Sequence, residues 1–338
     1  MNGLRKDSAT LVTVGEEAAG QRVDNFLCRI LKGVPKSHVY RILRSGEVRV
    51  NKGRAGPERR LEAGDVVRLP PVRTAERAPA ARGPVPARRF DVPVLYEDDA
   101  FLALDKPAGL AVHGGSGVAH GLIEQLRAAR PQARMLELVH RLDRETSGVL
   151  LVAKQRPALV ALHAALREGE VDKRYLVLVR GRWRDEMRRV RAPLHKFATR
   201  EGERRVRVEE GGQAAETIFR RVAVWSAAER PLALLEAELM TGRTHQIRVH
   251  LQHLGHALAG DDKYGDFAWN RELHGQGLKR MFLHARRLQL AHPVTGANML
   301  IESPLPPDLA AFLERLGDPS TGTLTEIGVA SDSRIPAH

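Results

Sequence analysis

The sequence predicts an α+β protein of two units, a small helix-helix-β-hairpin unit followed by a larger mixed β-sheet unit with flanking helices. Three observations carry this. The chain has 338 residues, which at roughly 100 to 200 residues per domain suggests two units with real cores. Residues 22–69 pass from helical periodicity to short alternating strands. Beyond residue 90, strand and helix signals are interspersed with neither the regular βαβ alternation of a parallel sheet nor a repeat of roughly 20 to 50 residues.

The first unit is expected over 18–70. Residues 22–31 place Val23, Phe26, Leu27, Ile30 and Leu31 on one helical face. After Gly33 and Pro35, Ser37 is placed to cap a second helix carrying Val39, Ile42 and Leu43 inward, and Gly46 ends it. Residues 47–50 alternate as a strand, Asn51-Lys52-Gly53 reads as a turn, and 65–69 reads as another strand. Residues 71–89, PVRTAERAPAARGPVPARR, lack an apolar stripe and read as an extended linker. The second unit is expected over 90–316, with strands at 92–96, 101–105, 148–154, 175–179 and 232–239 and helices at 121–130, 157–168 and 244–254. The small, polar residues of 317–338 read as a disordered tail.

Charge narrows the partners. The formal net charge is +13, and residues 1–90, with 19 basic and 9 acidic side chains, hold +10 of it. Such an excess attracts polyanions, either nucleic acid or an anionic membrane surface. A solvated surface in an arginine-rich composition is the competing reading. Lys36, Arg41, Arg44, Arg49, Lys52 and Arg54 gather on one face of the first unit, which suits a phosphate-tracking surface better than an ordinary wet helix face. The single cysteine, Cys28, excludes an intramolecular disulfide and a cysteine-based zinc site, so a cytoplasmic protein is expected. No apolar run approaches the ~18 to 20 residues of a spanning helix, and the first residues lack the apolar region of a secretory signal. HExxH, GxxxxGK[ST] and a strand-linked GxGxxG are missing, so neither a metal nor a nucleotide cofactor is expected.

The densest run of reactive residues is His140-Arg141-Leu142-Asp143-Arg144-Glu145-Thr146-Ser147-Gly148, directly before the buried-strand pattern VLLVAK. A polar run abutting a core strand is a loop held on rigid scaffold, where sites are usually built. Asp143 lies between Arg141 and Arg144, and neighbouring cations favour a charged carboxylate, hence a nucleophile or base rather than a proton donor. A structural Asp capping a turn is the alternative. A Ser-His-Asp triad of Ser147, His140 and Asp143 is disfavoured because adjacency in sequence is not triad geometry and the G-x-S-x-G elbow is missing. A glycosidase pair with Glu145 is equally weak, since flanking arginines do not raise an acid's pKa.

Two resemblances follow from these residues. RVDNFL over 22–27, KSHV over 36–39, RSGEVRVN over 44–51 and LEAGD over 61–65 resemble the S-four-type RNA-binding domain. HRLDRETSG over 140–148 resembles the active-site signature of the RluA-type pseudouridine synthase family. DKPAGLAVH over 105–113, KRYLVLV over 173–179, GRTHQIRVHL over 242–251, DKYG over 262–265 and FLHA over 282–285 match further blocks of that family in its order.

The resemblance implies a mainly antiparallel catalytic sheet and an RNA pseudouridine synthase that needs no cofactor. Its implied substrate is uridine in 23S rRNA or a pre-50S ribosomal particle, with no membrane partner, and the enzyme is expected to be a monomer. By resemblance Asp143 is the essential group, attacking the anomeric carbon or the base, or removing a sugar proton. Arg248 is expected to pair with Asp143 through a guanidinium fork. Tyr175 is expected to stack on the uracil, with a part in removing the carbon 5 proton, and Leu283 to close the apolar side of the base pocket. The target nucleotide has to be flipped out of its stack. Arg141 would fill the vacated place or hold phosphate, Arg144 and Arg243 would contact phosphate, and His140 and His245 would orient neighbours. Against these stand a surface helix Arg at 248, a core Tyr at 175, ordinary packing at Leu283 and structural histidines. The alternative functions are the same chemistry on tRNA or another rRNA site, and a non-catalytic rRNA-binding assembly factor.

Overall fold

The computed structural model describes residues 8–31, 34–71, 90–114, 120–199, 203–226 and 231–325. The chain divides into Met1–Pro86 and Ala87–His338. All of the expected linker except Pro71 lies outside the described residues.

The first unit contains β1 (Thr10–Thr13), α1 (Val23–Ile30), α2 (Lys36–Arg44), β2 (Arg49–Val50), β3 (Gly53–Arg54) and β4 (Val66–Leu69). Its antiparallel sheet runs in the order β1-β4-β2-β3. The expected start at residue 18 is too late, because β1 pairs along β4 from Thr10↔Leu69 to Thr13↔Val66. Thr10-Leu11-Val12-Thr13 sets two apolar residues side by side, so no alternation announced a strand there. Val23, Phe26, Leu27 and Leu31 bury against Val39, Ile42 and Leu43, over Val48, Val50, Val67 and Leu69 of the sheet, while Ile30 is half-buried. Ser37 does not cap α2: Pro35 stands at the cap position with φ −58°, and Lys36 and Ser37 already belong to the first turn. Proline's fixed φ starts the helix there, with no N–H of its own to satisfy. Asn51 and Lys52, at φ 50° and 68°, form the two-residue link between β2 and β3, the type I′ geometry that follows strand twist.

The second unit contains β5 (Val94–Glu97), β6 (Phe101–Lys106), α3 (Leu122–Ala129), β7 (Glu137–Leu138), β8 (Ser147–Ala153), α4 (Arg156–Glu168), β9 (Asp172–Arg180), β10 (Met187–Arg191), β11 (Leu194–Ala198), β12 (Arg204–Val208), β13 (Glu216–Trp225) and β14 (Leu232–Leu239). It continues with α5 (Gln246–His253), α6 (Phe267–Gly275), β15 (Leu283–Ala291), β16 (Asn298–Glu302), α7 (Pro307–Arg315) and β17 (Thr321–Gly322). One sheet follows the order β10-β13-β14-β9-β15-β8-β6-β5, with β16 on β15, β7 on β8 and β17 on β13, while β11 and β12 form a separate hairpin. Every pairing is antiparallel except β8 with β15.

The sheet is covered on both faces, which is why β8, SGVLLVA, is buried at every position. Alternation in β9 sends Tyr175, Val177 and Val179 into a cluster with Leu122 and Leu126 of α3 and Ile247 and Leu251 of α5. Leu176 and Leu178 go the other way, against Trp269 and Leu273 of α6 and Leu309, Phe312 and Leu313 of α7. Among the described residues, no helix is long and apolar enough to cross a membrane.

The beginning of the expected tail is ordered. Thr321 and Gly322 pair with Val224 and Ala223 of β13, Trp225 Nε1 donates to the Gly317 carbonyl at 2.9 Å, and Leu324 is buried. A backbone segment that adds to a sheet needs no apolar periodicity, so nothing in composition announced it. Residues 326–338 lie outside the described residues.

The parallel pair places the reactive loop. Ser147 and Gly148 stand beside His284 and Ala285. Gly148 has φ 111°, and a Cβ there would lie 2.2 Å from the Ala285 carbonyl oxygen, so only glycine lets the two strands approach this closely.

Candidate active site

A cleft of about 740 Å³ opens where the loop before β8 meets the start of α5. The sequence-predicted Asp143, Tyr175, Arg248 and Leu283 all line it, although they are spread over 140 positions of the chain. Asp143 is the sole carboxylate among the described lining residues, beside the cations Arg141, Arg167, Lys173, Arg243 and Arg248.

Arg248 donates from Nη1 to Asp143 Oδ2 at 3.0 Å. The fork expected at Asp143 is made elsewhere: Nε and Nη2 each donate at 2.7 Å to the two oxygens of Asp261. Asp261 is 1% exposed and also accepts the backbone N–H groups of Lys263 and Tyr264. Burial alone would push its carboxyl up, but the Arg248 hydrogen bonds outweigh that and hold it below the usual carboxylate range. The guanidinium is thus immobilised by a buried anion and turns Nη1 to Asp143. The cation at Asp143 comes from 105 positions away and not from its chain neighbours.

His245 precedes α5 with φ 54°, the one described non-glycine residue of the second unit in the left-handed region. Such backbone costs about 1 to 3 kcal/mol and persists where side-chain bonds over-determine it. Nδ1 lies 2.7 Å from the Tyr264 hydroxyl, and Nε2 is 3.8 Å from Asp143 Oδ1. Gln246 fixes the same turn: its Oε1 accepts from Thr241 Oγ1 and the Arg243 N–H, and its Nε2 donates to the Glu216 carbonyl and Thr217 Oγ1.

Two buried groups stand behind the loop, and the structural part of Lys106 was missed in the sequence. Lys106 is fully buried, and its ammonium donates to the carbonyls of Pro107, Leu110 and Arg144, at 2.8, 2.8 and 3.0 Å. Burial pushes it down to about 7. Because it holds the carbonyl next to Asp143, it ties β6 to the reactive loop. Ser147 is buried as well, with its hydroxyl 3.0 Å from His284 Nδ1 and receiving Arg280 Nη2 at 2.6 Å. It faces the interior of the sheet, so the disfavoured triad has no geometry.

Tyr175 is buried, and burial together with the Asp143 charge raises its pKa and keeps it a phenol. Arg141 is exposed at the rim. Arg243 is exposed too, with Nε bonded to the Ala214 carbonyl at 3.1 Å. Arg144 is exposed and lies outside the cleft lining; its Nε donates to the Gly109 carbonyl at 2.9 Å, a lock between two loops. His140, expected to orient neighbours, is turned to the backbone of β8. Its Nε2 accepts the Leu151 N–H at 3.1 Å, and burial pushes the ring down to about 4.

On the first unit Lys36, Arg41, Arg44, Arg49 and Lys52 are all exposed. Arg41 is the weakest of them as a phosphate contact, lying 3.5 Å from Glu47. Arg49 stands opposite Arg54 on one side and Arg68 on the other, like charges in cross-strand positions that repel until a polyanion joins them.

Residues 100–253, which include the reactive loop, Tyr175 and Arg248, match the family described as RNA pseudouridylate synthase, and residues 21–67 match the S4 domain. The chain is 54% identical over 314 residues to ribosomal large subunit pseudouridine synthase C of Escherichia coli (strain K12), covering 91% of this chain and 97% of that protein. It is 52% identical over 310 residues to the protein of the same name in Pasteurella multocida (strain Pm70), covering 90% and 93%. Human RNA Pseudouridylate Synthase Domain Containing 1 shares the fold with a TM-score of 0.55 at 27% identity, over 66% of this chain and 88% of that one. With a cationic cleft around one carboxylate and sequence agreement along nearly its whole length, the chain belongs to the RNA pseudouridylate synthase family.

Proposed function

We propose that the protein isomerises uridine to pseudouridine in large-subunit ribosomal RNA, with Asp143 as the reacting carboxylate. The observation that carries this is the placement of one carboxylate, anchored at one oxygen by Arg248, among five cations in a single cleft. The cations suit a phosphodiester chain, and the relatives' names supply the ribosomal large subunit as the source of that chain.

A uridine flipped from its stack, at a cost of a few kcal/mol, would place its ring between Tyr175 and Leu283. The bond from ribose carbon 1′ to uracil nitrogen 1 breaks, the base turns, and carbon 1′ rejoins at carbon 5. Carbon 5 gives up one proton and nitrogen 1 takes one up, so atoms and electrons balance without a redox partner. Arg248 holds Oδ2 of Asp143 and leaves Oδ1 directed at the substrate. Tyr175, held as a phenol, contributes its ring face; the sequence-based expectation that it removes the carbon 5 proton would require the phenolate that its surroundings disfavour.

The test is Asp143→Asn in the full chain with a large-subunit rRNA transcript. RNA binding should persist while pseudouridine, mapped chemically, disappears; measurable turnover would remove Asp143 from its role. Pseudouridine mapping of rRNA and tRNA from cells lacking the protein checks the substrate. Loss confined to tRNA would overturn the ribosomal assignment.

A further inference from the structure

Arg248 leaves one oxygen of Asp143 unheld, and His245 approaches it, with Nε2 3.8 Å from Oδ1. What the ring offers there depends on where its hydrogen sits, and the surroundings decide that. Tyr264 Oη accepts the Val206 N–H at 2.9 Å and lies 2.7 Å from His245 Nδ1. Tyr264 is buried, and burial pushes its phenol up to about 12. A buried hydroxyl rarely leaves its own hydrogen unpaired, so it donates to Nδ1. Burial also holds His245 below its ordinary pKa, and a neutral imidazole that accepts at Nδ1 carries its hydrogen on Nε2.

We infer that Tyr264 is a positioning residue: by fixing the His245 tautomer it aims an N–H at Asp143 Oδ1 while Arg248 holds Oδ2, so the carboxylate plane is set at both oxygens. This rests on the reading of Asp143 as the reacting carboxylate. The present 3.8 Å is longer than a hydrogen bond, and catalytic hydrogen bonds tighten as substrate seats. Tyr264 supports the Arg248 side too. Its ring lies 5.1 Å from the guanidinium carbon, and its N–H donates to Asp261 Oδ1 at 3.0 Å. Because Val206 lies in β12, the backbone of the β11–β12 hairpin sets the direction of the Tyr264 hydroxyl.

The experiment is a double-mutant cycle on the full chain, read as single-turnover pseudouridine formation on an rRNA transcript. Tyr264→Phe removes only the hydroxyl and should slow the chemical step about tenfold, the effect of one hydrogen bond to a charged group, with RNA affinity unchanged and the unfolding midpoint lowered because the buried Val206 N–H loses its acceptor. In His245→Gln an amide nitrogen reaches the place of Nε2 without help from Tyr264. It should lose less activity than His245→Ala, and adding Tyr264→Phe to it should cost nothing further. Nitrogen-15 spectra of histidine-labelled protein should show His245 protonated at Nε2 in the wild type and a tautomer mixture in Tyr264→Phe.

A folded Tyr264→Phe with wild-type rate overturns the inference. So do additive losses in the cycle, or a wild-type ring protonated at Nδ1. If Tyr264→Phe does not fold, His245→Gln against His245→Asn decides, because the Asn amide reaches only the Nδ1 place; equal activities overturn it. An active Asp143→Asn would sink the underlying reading instead. An inactive one combined with an additive cycle sinks this inference alone.

Discussion

Arg248 gives Nε and Nη2 to Asp261 and turns Nη1 to Asp143. A lysine has one nitrogen and cannot serve both carboxylates from one place. Arg248→Lys should therefore lower kcat/KM about 100-fold or more, an effect of a lost charge-assisted hydrogen bond and a misplaced anchor. Near-wild-type kinetics would dismiss the arrangement. Asp261→Asn should act on folding as well. It leaves the Arg248 cation buried without its anion and turns an NH₂ toward N–H donors, a loss of about 3 to 5 kcal/mol in denaturant unfolding.

Gly148→Ala should destabilise the chain by about 3 kcal/mol or more, since the added methyl collides with the Ala285 carbonyl at a left-handed φ. Gly169 also has positive φ, but nothing lies within 4 Å of its Cβ direction, so Gly169→Ala should cost about 1 kcal/mol. Unfolding midpoints of the two variants check the contrast; equal losses would mean that strand contact is not the reason.

Acid should unfold the protein partly through Glu97 and Asp98. Hydrogen bonds from Arg130 and Lys154 hold Glu97 down to about 2. Burial would push Asp98 up, but the N–H groups of Phe101 and Ala100 and the His292 ring hold it down to about 2 as well. A carboxylate whose folded pKa lies below its unfolded one adds stability that is complete above the unfolded value, near pH 4 to 5, and lost as pH falls toward the folded value. Each should contribute about 1 to 2 kcal/mol, given that both are partly solvated. Glu97→Gln should flatten unfolding free energy against pH between about 5 and 2, and an unchanged slope would exclude it.

For RNA affinity, replacing Lys36, Arg44, Arg49 and Lys52 together by Ala should reduce the slope of log affinity against log salt by about 0.7 to 0.9 per lost phosphate contact. Arg41→Ala should change it less, because Glu47 already lies beside that guanidinium. A quadruple variant with the wild-type slope would put the phosphate-binding surface elsewhere.

The reactive loop was legible from residue type, and Tyr175, Arg248 and Leu283 through the family resemblance; the cleft brings all four together. Their partners were not. Asp261 and Asp262 are adjacent and chemically identical in sequence, yet one side chain is 1% exposed and the other 81%. Only the fold decides which anion an arginine meets. Lys106 directly follows the strand expected at 101–105, and its three carbonyl acceptors come from turns that no periodicity describes. Helices at 121–130, 157–168 and 244–254 showed their apolar spacing, whereas α6 and α7 passed unnoticed and the sheet order is a long-range property. The backbone acceptor of Arg144 and the backbone donor to His140 were equally hidden, because a polar side chain in a reactive run can bond to backbone that lies far from it in sequence.

The single parallel pairing has a consequence for how the molecule is made. Asp143 precedes β8 by a few residues, and Leu283 opens β15; because those strands run in the same direction side by side, both residues emerge at the same sheet end. An antiparallel partner would have carried Leu283 to the opposite rim. A ribosome that has released only the first 250 residues has therefore supplied the aspartate, the tyrosine and the arginine, but neither the second wall of the pocket nor the strand that locks the loop. Asp261, the anchor of Arg248, is also missing at that length, so the cleft is completed only late in synthesis.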